Sequence, residues 1–310
     1  MNHPEQVVDR TVFRTVGLIA RLGNPLVADT LVRVYRLLVD RGVHVVVEAP
    51  SVSMLSGAEP EQCTRHELPH RCDLVIVIGG DGSLLGVARE MAIAGAPVPV
   101  LGINRGSLGF LADISPEEVE ARVGAVLDGQ YVIDERFLLE TEIFRGNDRI
   151  ATGAALNDVV VHAGTLSRMM DFRLYVDDEF VYEQRSDGVI VCTPTGSTAY
   201  ALSAGGPIMH PSLDALCVVP MFPHTLTSRP LVLRGNCELC ILIGEYNDTH
   251  AQVSCDSQVD MHTEAGDRVL IRKRAGCLRL LHTLEHSFYE SCRSKLDWGS
   301  RLGDRRNGGH

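Results

Sequence analysis

Hydrophobic positions along the chain follow two rhythms, and the change between them falls near residue 130. From residue 11 to about 129, short aliphatic runs alternate with segments of helical period. TVGLIA at 15–20, VHVVVEA at 43–49, DLVIVIGG at 73–80 and VPVLGIN at 98–104 predict strands. The unbroken apolarity of the third predicts burial on both faces, as in a parallel sheet. PLVADTLVRVYRLLVDRG at 25–42 places Leu31, Val34, Tyr35 and Leu38 on one helical face and stops at Gly42. SLLGVAREMAIAG at 83–95 predicts a helix closing on glycine. SPEEVEARVGAVLDG at 115–129 opens with Ser115 as N-cap, Pro116 in the first helical position and Glu118 three residues after the cap. The stretch between the second and third strands reads as a polar, proline-containing connection. Alternating strands and helices of this kind predict a parallel, doubly wound α/β domain.

Beyond residue 130 the period shortens to two. FRLYVDDEFVYEQ at 172–184 alternates about Asp177-Asp178 as a hairpin does, and CELCILIG at 237–244 and DRVLIRK at 267–273 predict further strands. SFYESCRSKLDWG at 287–299 has the pattern of a short helix. The expected layout is an N-terminal α/β domain over 11–129, a β-rich C-terminal domain over 130–284, a helical segment over 285–300 and a frayed polar tail over 301–310.

Composition narrows the class of function. The chain has 310 residues, 45% of them hydrophobic, enough apolar material for two cores. A formal charge of −11 argues against tracking a nucleic-acid backbone. No run of about 18 uncharged apolar residues occurs, and MNHPEQVVDR lacks the basic tip and apolar stretch of an export signal, so a cytoplasmic protein without a membrane span is expected. Nine cysteines at irregular spacings fit reduced thiols. Cys237 and Cys240 lack a second ligand pair and would point to opposite faces of a strand, which argues against zinc there.

Candidate chemistry starts at VIVIGGDGSLLG, residues 75–86. Gly79, Gly80 and Gly82 surround Asp81 at the carboxyl end of the third strand, with a helix expected from about Ser83, and such a turn offers N–H groups and a helix N-terminus to an anion. A P-loop requires Gly-Lys-Ser/Thr, and the two lysines, Lys273 and Lys295, are remote in sequence. Gly80, Gly82 and Gly86 are spaced one residue too long for G-x-G-x-x-G, and the protein-kinase signatures are absent. Asp81 would be repelled by a phosphate charge about 4 Å away, by roughly 1 kcal/mol in water and about 4 at an effective dielectric of 20. A carboxylate kept there against that cost has one of two roles. Either it holds a magnesium ion that bridges to the phosphates, or it takes the proton from a hydroxyl that attacks one. NRGSLGF at 104–110 ends the fourth strand at the same edge, either shaping that pocket or forming a plain tight loop.

LNDVVVHAG at 156–164 and RSDGVIVCTPTGSTAYALSAGGP at 185–207 form a second unusual set. The hydroxyls of Thr193, Thr195, Ser197, Thr198, Tyr200 and Ser203 belong either to a simple loop between strands or to a surface for a hydroxyl-rich nucleotide. Asp158 and Asp187 suit ribose hydroxyls or a base amino group, and Arg185 suits a pyrophosphate. His224 in a proline-bounded loop reads as structural. His282 and His286 lie four apart and can share a helical face; with no acidic partner at ligand spacing they read as surface or packing residues.

GGDG, GINRGSLGFLAD, ALNDVVVHAG, RSDGVIVCTPTGSTAYALSAGGPI and SCDSQ, in this order and spacing, resemble the bacterial NAD kinases over about residues 15–299. GGDG is shared with diacylglycerol kinase and 6-phosphofructokinase relatives; TPTGSTAY is far more specific. The resemblance implies transfer of the ATP γ-phosphoryl group to the 2′-hydroxyl of the adenosine ribose of NAD, with a divalent cation such as Mg2+. Asp81 would be the general base, and Gly79, Gly80 and Gly82 would receive the ATP phosphates. Gly82 would also lie against the dinucleotide. Asn157, Asp158, Arg185, Asp187, Thr198, Ala199, Tyr200, Ala201, Leu202 and Ser203 match the family's dinucleotide-binding stretches, and Arg168 and Gln258 match by spacing. A homodimer or homotetramer, and a final helix returning to the first domain, are likewise implied. HAG stands where H-P-G is common, and CDSQ where many members have D-G-Q. Two rival readings are a non-catalytic NAD(P)(H) sensor, which gains nothing from Asp81, and a lipid or sugar kinase, which has no need of TPTGSTAY.

Overall fold

A computed structural model describes residues 13–95, 98–105, 109–164, 169–245, 251–296 and 298. They form two compact units, one from residues 13–87, 98–134 and 279 onward, the other from 88–95 and 135–278.

The first unit is the expected parallel α/β layer. Strands β1 (Thr15–Ala20), β2 (His44–Glu48), β3 (Glu61–Cys63), β4 (Leu74–Gly79) and β5 (Val100–Asn104) lie in the order β5-β4-β1-β2-β3, all neighbours parallel. Leu280 and Leu281, at the end of β17 (Arg268–His282), extend the sheet beside β5. All six β4 residues are buried, as its continuous apolarity requires. Helix α1 (Pro25–Asp40) starts where Asn24 accepts the Leu26 N–H, and it buries Val27, Leu31, Val34 and Leu38. Each such burial contributes about 1.5–3 kcal/mol. The chain then turns at Gly42 with φ +72°, a conformation open to glycine.

Three local expectations are corrected. The connection after β2 is not featureless: it holds the single turns α2 (Ala49–Val52) and α3 (Leu68–Arg71) around β3, an edge strand too polar and short to show a period. Helix α4 (Asp81–Ala94) begins at Asp81, two residues before the expected start. At 115–118 the capping box does not close. Ser115 Oγ donates to Glu118 at 3.0 Å, a 3₁₀ turn forms over Pro116–Glu118, and α5 (Val119–Leu127) follows it.

The second unit is antiparallel and β-rich. One sheet contains β10-β9-β14 and the first part of β17, with β6 (Val132–Arg145) and β7 (Asp148–Ala155) paired to each other beside it; β9, β10 and β14 are Met170–Val176, Glu179–Ser186 and Glu238–Ile243. The other has six strands, in the order β13-β12-β11-β8-β15-β16. These are β8 (Asp158–His162), β11 (Gly188–Cys192), β12 (Ala215–Met221), β13 (Leu231–Arg234), β15 (Gln252–Cys255) and β16 (Val259–His262). Alternation sorts the side chains. Val159, Val161, Val189 and Val191 join Phe172, Leu174 and Ile241 in one core, while Val160, Ile190 and Cys192 face the other way, with Ala201 and Met209. The β9–β10 hairpin turns at Asp177 and Asp178 with φ of 49° and 64°, the left-handed pair that a two-residue loop demands. The final helix is α7 (Phe288–Lys295), capped by Ser287, whose side chain accepts the Glu290 N–H. Among the described residues no helix is long and apolar enough to cross a membrane.

Candidate functional site

Gly79 to Gly82 lie where the sheet order reverses: β1 pairs with β2 on one side and β4 on the other, and the turn follows the carboxyl end of β4. In open α/β sheets ligands bind at this switch point. The glycines differ in what they permit. A Cβ on Gly79 would meet Ser83 Oγ at 2.6 Å, so this glycine is needed for the tight turn. Among the described residues a Cβ on Gly80 or Gly82 would meet no atom within 4 Å, and neither has positive φ.

Asp81 is the first residue of α4, where the helix dipole favours a negative charge. Its carboxylate is fixed by three backbone donors: Phe110 N–H to Oδ2 at 2.7 Å, and Leu111 and Ala112 N–H to Oδ1 at 3.3 and 3.2 Å. Gly109 lets that loop approach, since a Cβ there would fall 1.8 Å from Oδ1. Lys295 Nζ, from α7, sits 3.9 Å from Oδ2 and 4.7 Å from the centre of the Phe110 ring. The sequence places both lysines far from the glycine turn; the fold brings one of them to it.

In the second unit the two hydroxyl- and acid-rich stretches come together around a buried carboxylate. Asp256 accepts the N–H groups of Leu156, Asn157 and Asp158 at 2.9, 2.8 and 3.2 Å and so shapes the turn before β8. Thr193 Oγ1 donates to Leu156 O at 2.6 Å and accepts the Gly196 N–H at 3.1 Å. Gly196 rests directly on Asn157, whose carbonyl oxygen would lie 2.1 Å from an added Cβ. Ser197 Oγ ties the loop back to Pro194 O and to the Met209 N–H, and Arg136 Nη1 donates to Thr195 Oγ1 at 3.0 Å. A 3₁₀ turn over Gly196–Thr198 then leads into the single turn α6 (Tyr200–Ser203), with Ala201 buried, Thr198, Ala199 and Leu202 half-buried, and Tyr200 and Ser203 exposed.

Arg89 links Asp256 and Gln258, with Nη1 3.7 Å from Asp256 Oδ2 and Nη2 donating to Gln258 Oε1 at 2.6 Å. Asp256 and Ser257 both have positive φ, 51° and 53°. Ser257 therefore holds a backbone conformation that glycine adopts at less cost. Arg185 is exposed on β10 and Asp187 half-buried just before β11. Arg168 lies outside the described residues, as do Gly106, Ser107 and Leu108 of NRGSLGF.

Residues 16–131 match the model of the ATP-NAD kinase N-terminal domain, and residues 156–283 that of the C-terminal domain. Proteins called NAD kinase from Pseudomonas paraeruginosa and Azotobacter vinelandii are each 55% identical over 291 residues, covering 94% of this chain and 98% of theirs. The chain belongs to the ATP-NAD kinase family. The family's fold is also that of yeast NADH kinase complexed with NADH, with a TM-score of 0.85 at 24% identity, covering 94% of this chain and 90% of that one. An NAD kinase from Archaeoglobus fulgidus in complex with ATP gives 0.70 at 23%, covering 91% and 98%.

Within each unit, several residues that position these stretches carry no signal in the sequence. Asp256 stands in the quoted SCDSQ, but the N–H groups it gathers are 98 to 100 residues away. Arg89 and Lys295 sit in ordinary helical patterns. His282 and His286 also need correction: they are not on a shared helix, and both face Asp113. The donor set at the glycine turn bears on the magnesium expectation. Both Asp81 oxygens already accept backbone N–H groups, and among the described residues no cluster of three metal-ligating side chains includes Asp81. Magnesium takes most of its oxygens from phosphate groups and water, so it requires no three-residue cluster here.

Asp158 is buried, and burial first, then the neighbouring Asp256 charge, raises its pKa from 3.8 to about 7. A raised carboxyl pKa means that the folded state holds a proton the unfolded state has lost, so stability falls as pH rises from about 4 to about 7. Asp158→Asn removes this penalty. The melting temperature of the variant relative to the parent should climb between pH 4 and pH 8, and a difference that stays flat with pH would show that Asp158 ionises normally.

Proposed function

We propose that Asp81 is the general base with which this member of the ATP-NAD kinase family phosphorylates NAD. The observation that carries the reading is the Asp81 carboxylate, fixed by three backbone N–H groups at the start of α4 in the glycine turn that follows β4. The adenosine ribose 2′-hydroxyl gives its proton to Asp81, and its oxygen forms a bond to the ATP γ-phosphorus. The bond between that phosphorus and the bridging oxygen breaks, ADP leaves, and NADP is formed. Gly80 and Gly82 lie along the ATP phosphates, and Lys295 offsets their charge beside Asp81.

The dinucleotide is recognised by Asn157, Asp158, Arg185, Asp187, Arg168, Gln258 and the 198–203 segment. Exposed Tyr200 supplies a flat ring, and Asp158 and Asp187 supply acceptors. A divalent cation, Mg2+ by family expectation, accompanies the ATP phosphates, and the working assembly is a homodimer or homotetramer in the cytoplasm. Purified protein given Mg-ATP and NAD should generate product that an NADP-specific dehydrogenase reduces. Tyr200→Ala should raise KM for NAD about tenfold and leave KM for ATP within about twofold. A shift confined to ATP would move the dinucleotide away from Tyr200.

A further inference from the structure

We propose that Asp113, His282 and His286 bind a divalent transition-metal ion of the zinc type, which fastens the entry of α7 to the α/β unit. Asp113 follows β5 in the loop that carries the Asp81 donors, His282 ends β17, and His286 lies just before α7. Nδ1 of His282 and Nδ1 of His286 approach the same oxygen, Asp113 Oδ2, at 2.9 and 2.7 Å. The two imidazoles stack with centroids 3.8 Å apart and planes within 12°. One candidate ligand atom from each residue falls within a 4.8 Å span.

Hydrogen bonding alone serves this cluster poorly. If both Nδ1 atoms donate to Oδ2, Asp113 Oδ1 remains buried with no hydrogen-bond partner among the described residues. Nε2 of a neutral His282 then carries a lone pair, also buried and unpartnered, that faces Asp134 Oδ2 at 3.7 Å, acceptor against acceptor. A metal ion reverses the assignment. The Nδ1 lone pairs and the Asp113 carboxylate turn to the ion, and the proton of His282 moves to Nε2, aimed at Asp134. That is the carboxylate–histidine–metal arrangement that orients ligating imidazoles.

Bonds of about 2.0–2.1 Å in a tetrahedron separate ligands by roughly 3.3 Å, so the two Nδ1–Oδ2 distances of 2.9 and 2.7 Å widen by about half an ångström while the stacked rings turn to bring both Nδ1 lone pairs onto the ion. Asp113 and His286 border a cavity of about 290 Å³, lined also by Glu118, Ser287, Glu290 and Ser291, from which water can supply a fourth ligand. Two imidazoles and one carboxylate suit zinc, cobalt or nickel; magnesium prefers an all-oxygen shell. The loop so fastened leads directly into the helix that carries Lys295 to Asp81.

The full chain, treated with chelator and titrated with Zn2+ or Co2+, should take up one ion per chain. The Co2+ form should show the d–d absorption of a four-coordinate nitrogen/oxygen site with no thiolate charge-transfer band, and Zn2+ should raise the melting temperature. His286→Ala, at a half-buried position, should weaken uptake at least tenfold and abolish the thermal shift while the far-ultraviolet circular dichroism is unchanged. Asp134→Asn should weaken uptake about 10- to 100-fold. Millimolar Mg2+ should not displace the ion. No uptake at micromolar metal, a thiolate band from the cysteines, or undiminished uptake by His286→Ala would overturn the proposal and leave protons alone holding the cluster.

Discussion

Asp81→Asn should lower the rate of NADP formation by about 100- to 10,000-fold, the range expected when a general base is removed. The substitution keeps the shape of the side chain. With the amide oxygen turned toward Leu111 and Ala112 it still accepts two of the three N–H bonds. The Phe110 N–H, 2.7 Å from Oδ2 in the parent, is then left against an amide donor. A lost buried hydrogen bond costs roughly 1–3 kcal/mol, so a modest drop in melting temperature should accompany the loss of rate without unfolding the protein. The decisive measurement is kcat in the dehydrogenase-coupled assay, taken with NAD binding by calorimetry. Turnover at the parent rate removes Asp81 from the chemistry. Lost turnover with unchanged NAD affinity supports a base and speaks against a sensor, which needs no proton acceptor.

The second large effect is structural in origin and functional in outcome. Gly196→Ala places a Cβ 2.1, 2.4 and 2.7 Å from the O, C and Cα atoms of Asn157. These are backbone atoms held by the Asp256 carboxylate, so they have no rotamer into which to retreat. The 193–203 loop and the 156–158 turn must separate, breaking the bonds from Thr193 Oγ1 to Leu156 O and from Thr193 N–H to Asn157 O that join them. Overpacking of this kind costs about 1–3 kcal/mol or more. Because the displaced segments carry Asn157, Asp158 and residues 198–203, KM for NAD should rise at least tenfold. Thermal melting and NAD kinetics on the same preparation check it. A variant with parent stability and parent KM would mean that the loop's contact with Asn157 does not arrange the residues proposed to bind the dinucleotide.

Both predictions rest on contacts between segments far apart in the chain, and this marks how much of the site could be read beforehand. The periodicities identified the two kinds of layer. GGDG drew attention by itself, since a carboxylate among glycines at a strand end is physically awkward. What holds that carboxylate was hidden: the Phe110–Ala112 N–H groups are backbone donors with no residue-type signature, and Gly109 becomes necessary only once Asp81 is seen 1.8 Å from where its Cβ would be. Asp256 was hidden likewise, one acidic residue in a chain with 40. The His282–His286 pair misled because a spacing of four suggests a helix. In the fold one ring ends a strand, the other precedes α7, and their acid comes from residue 113.

The sequence alone determined the parallel α/β character of the first unit, the β-rich character of the second and, through TPTGSTAY with GGDG, the family. These properties follow from side-chain period and local backbone preference, which neighbours along the chain suffice to set. Tertiary structure alone decided the partners of each charge. It set Lys295 beside Asp81, Asp256 beneath Asn157 and Asp113 between two imidazoles, because electrostatics and hydrogen bonding act over a few ångströms in space whatever the separation in sequence.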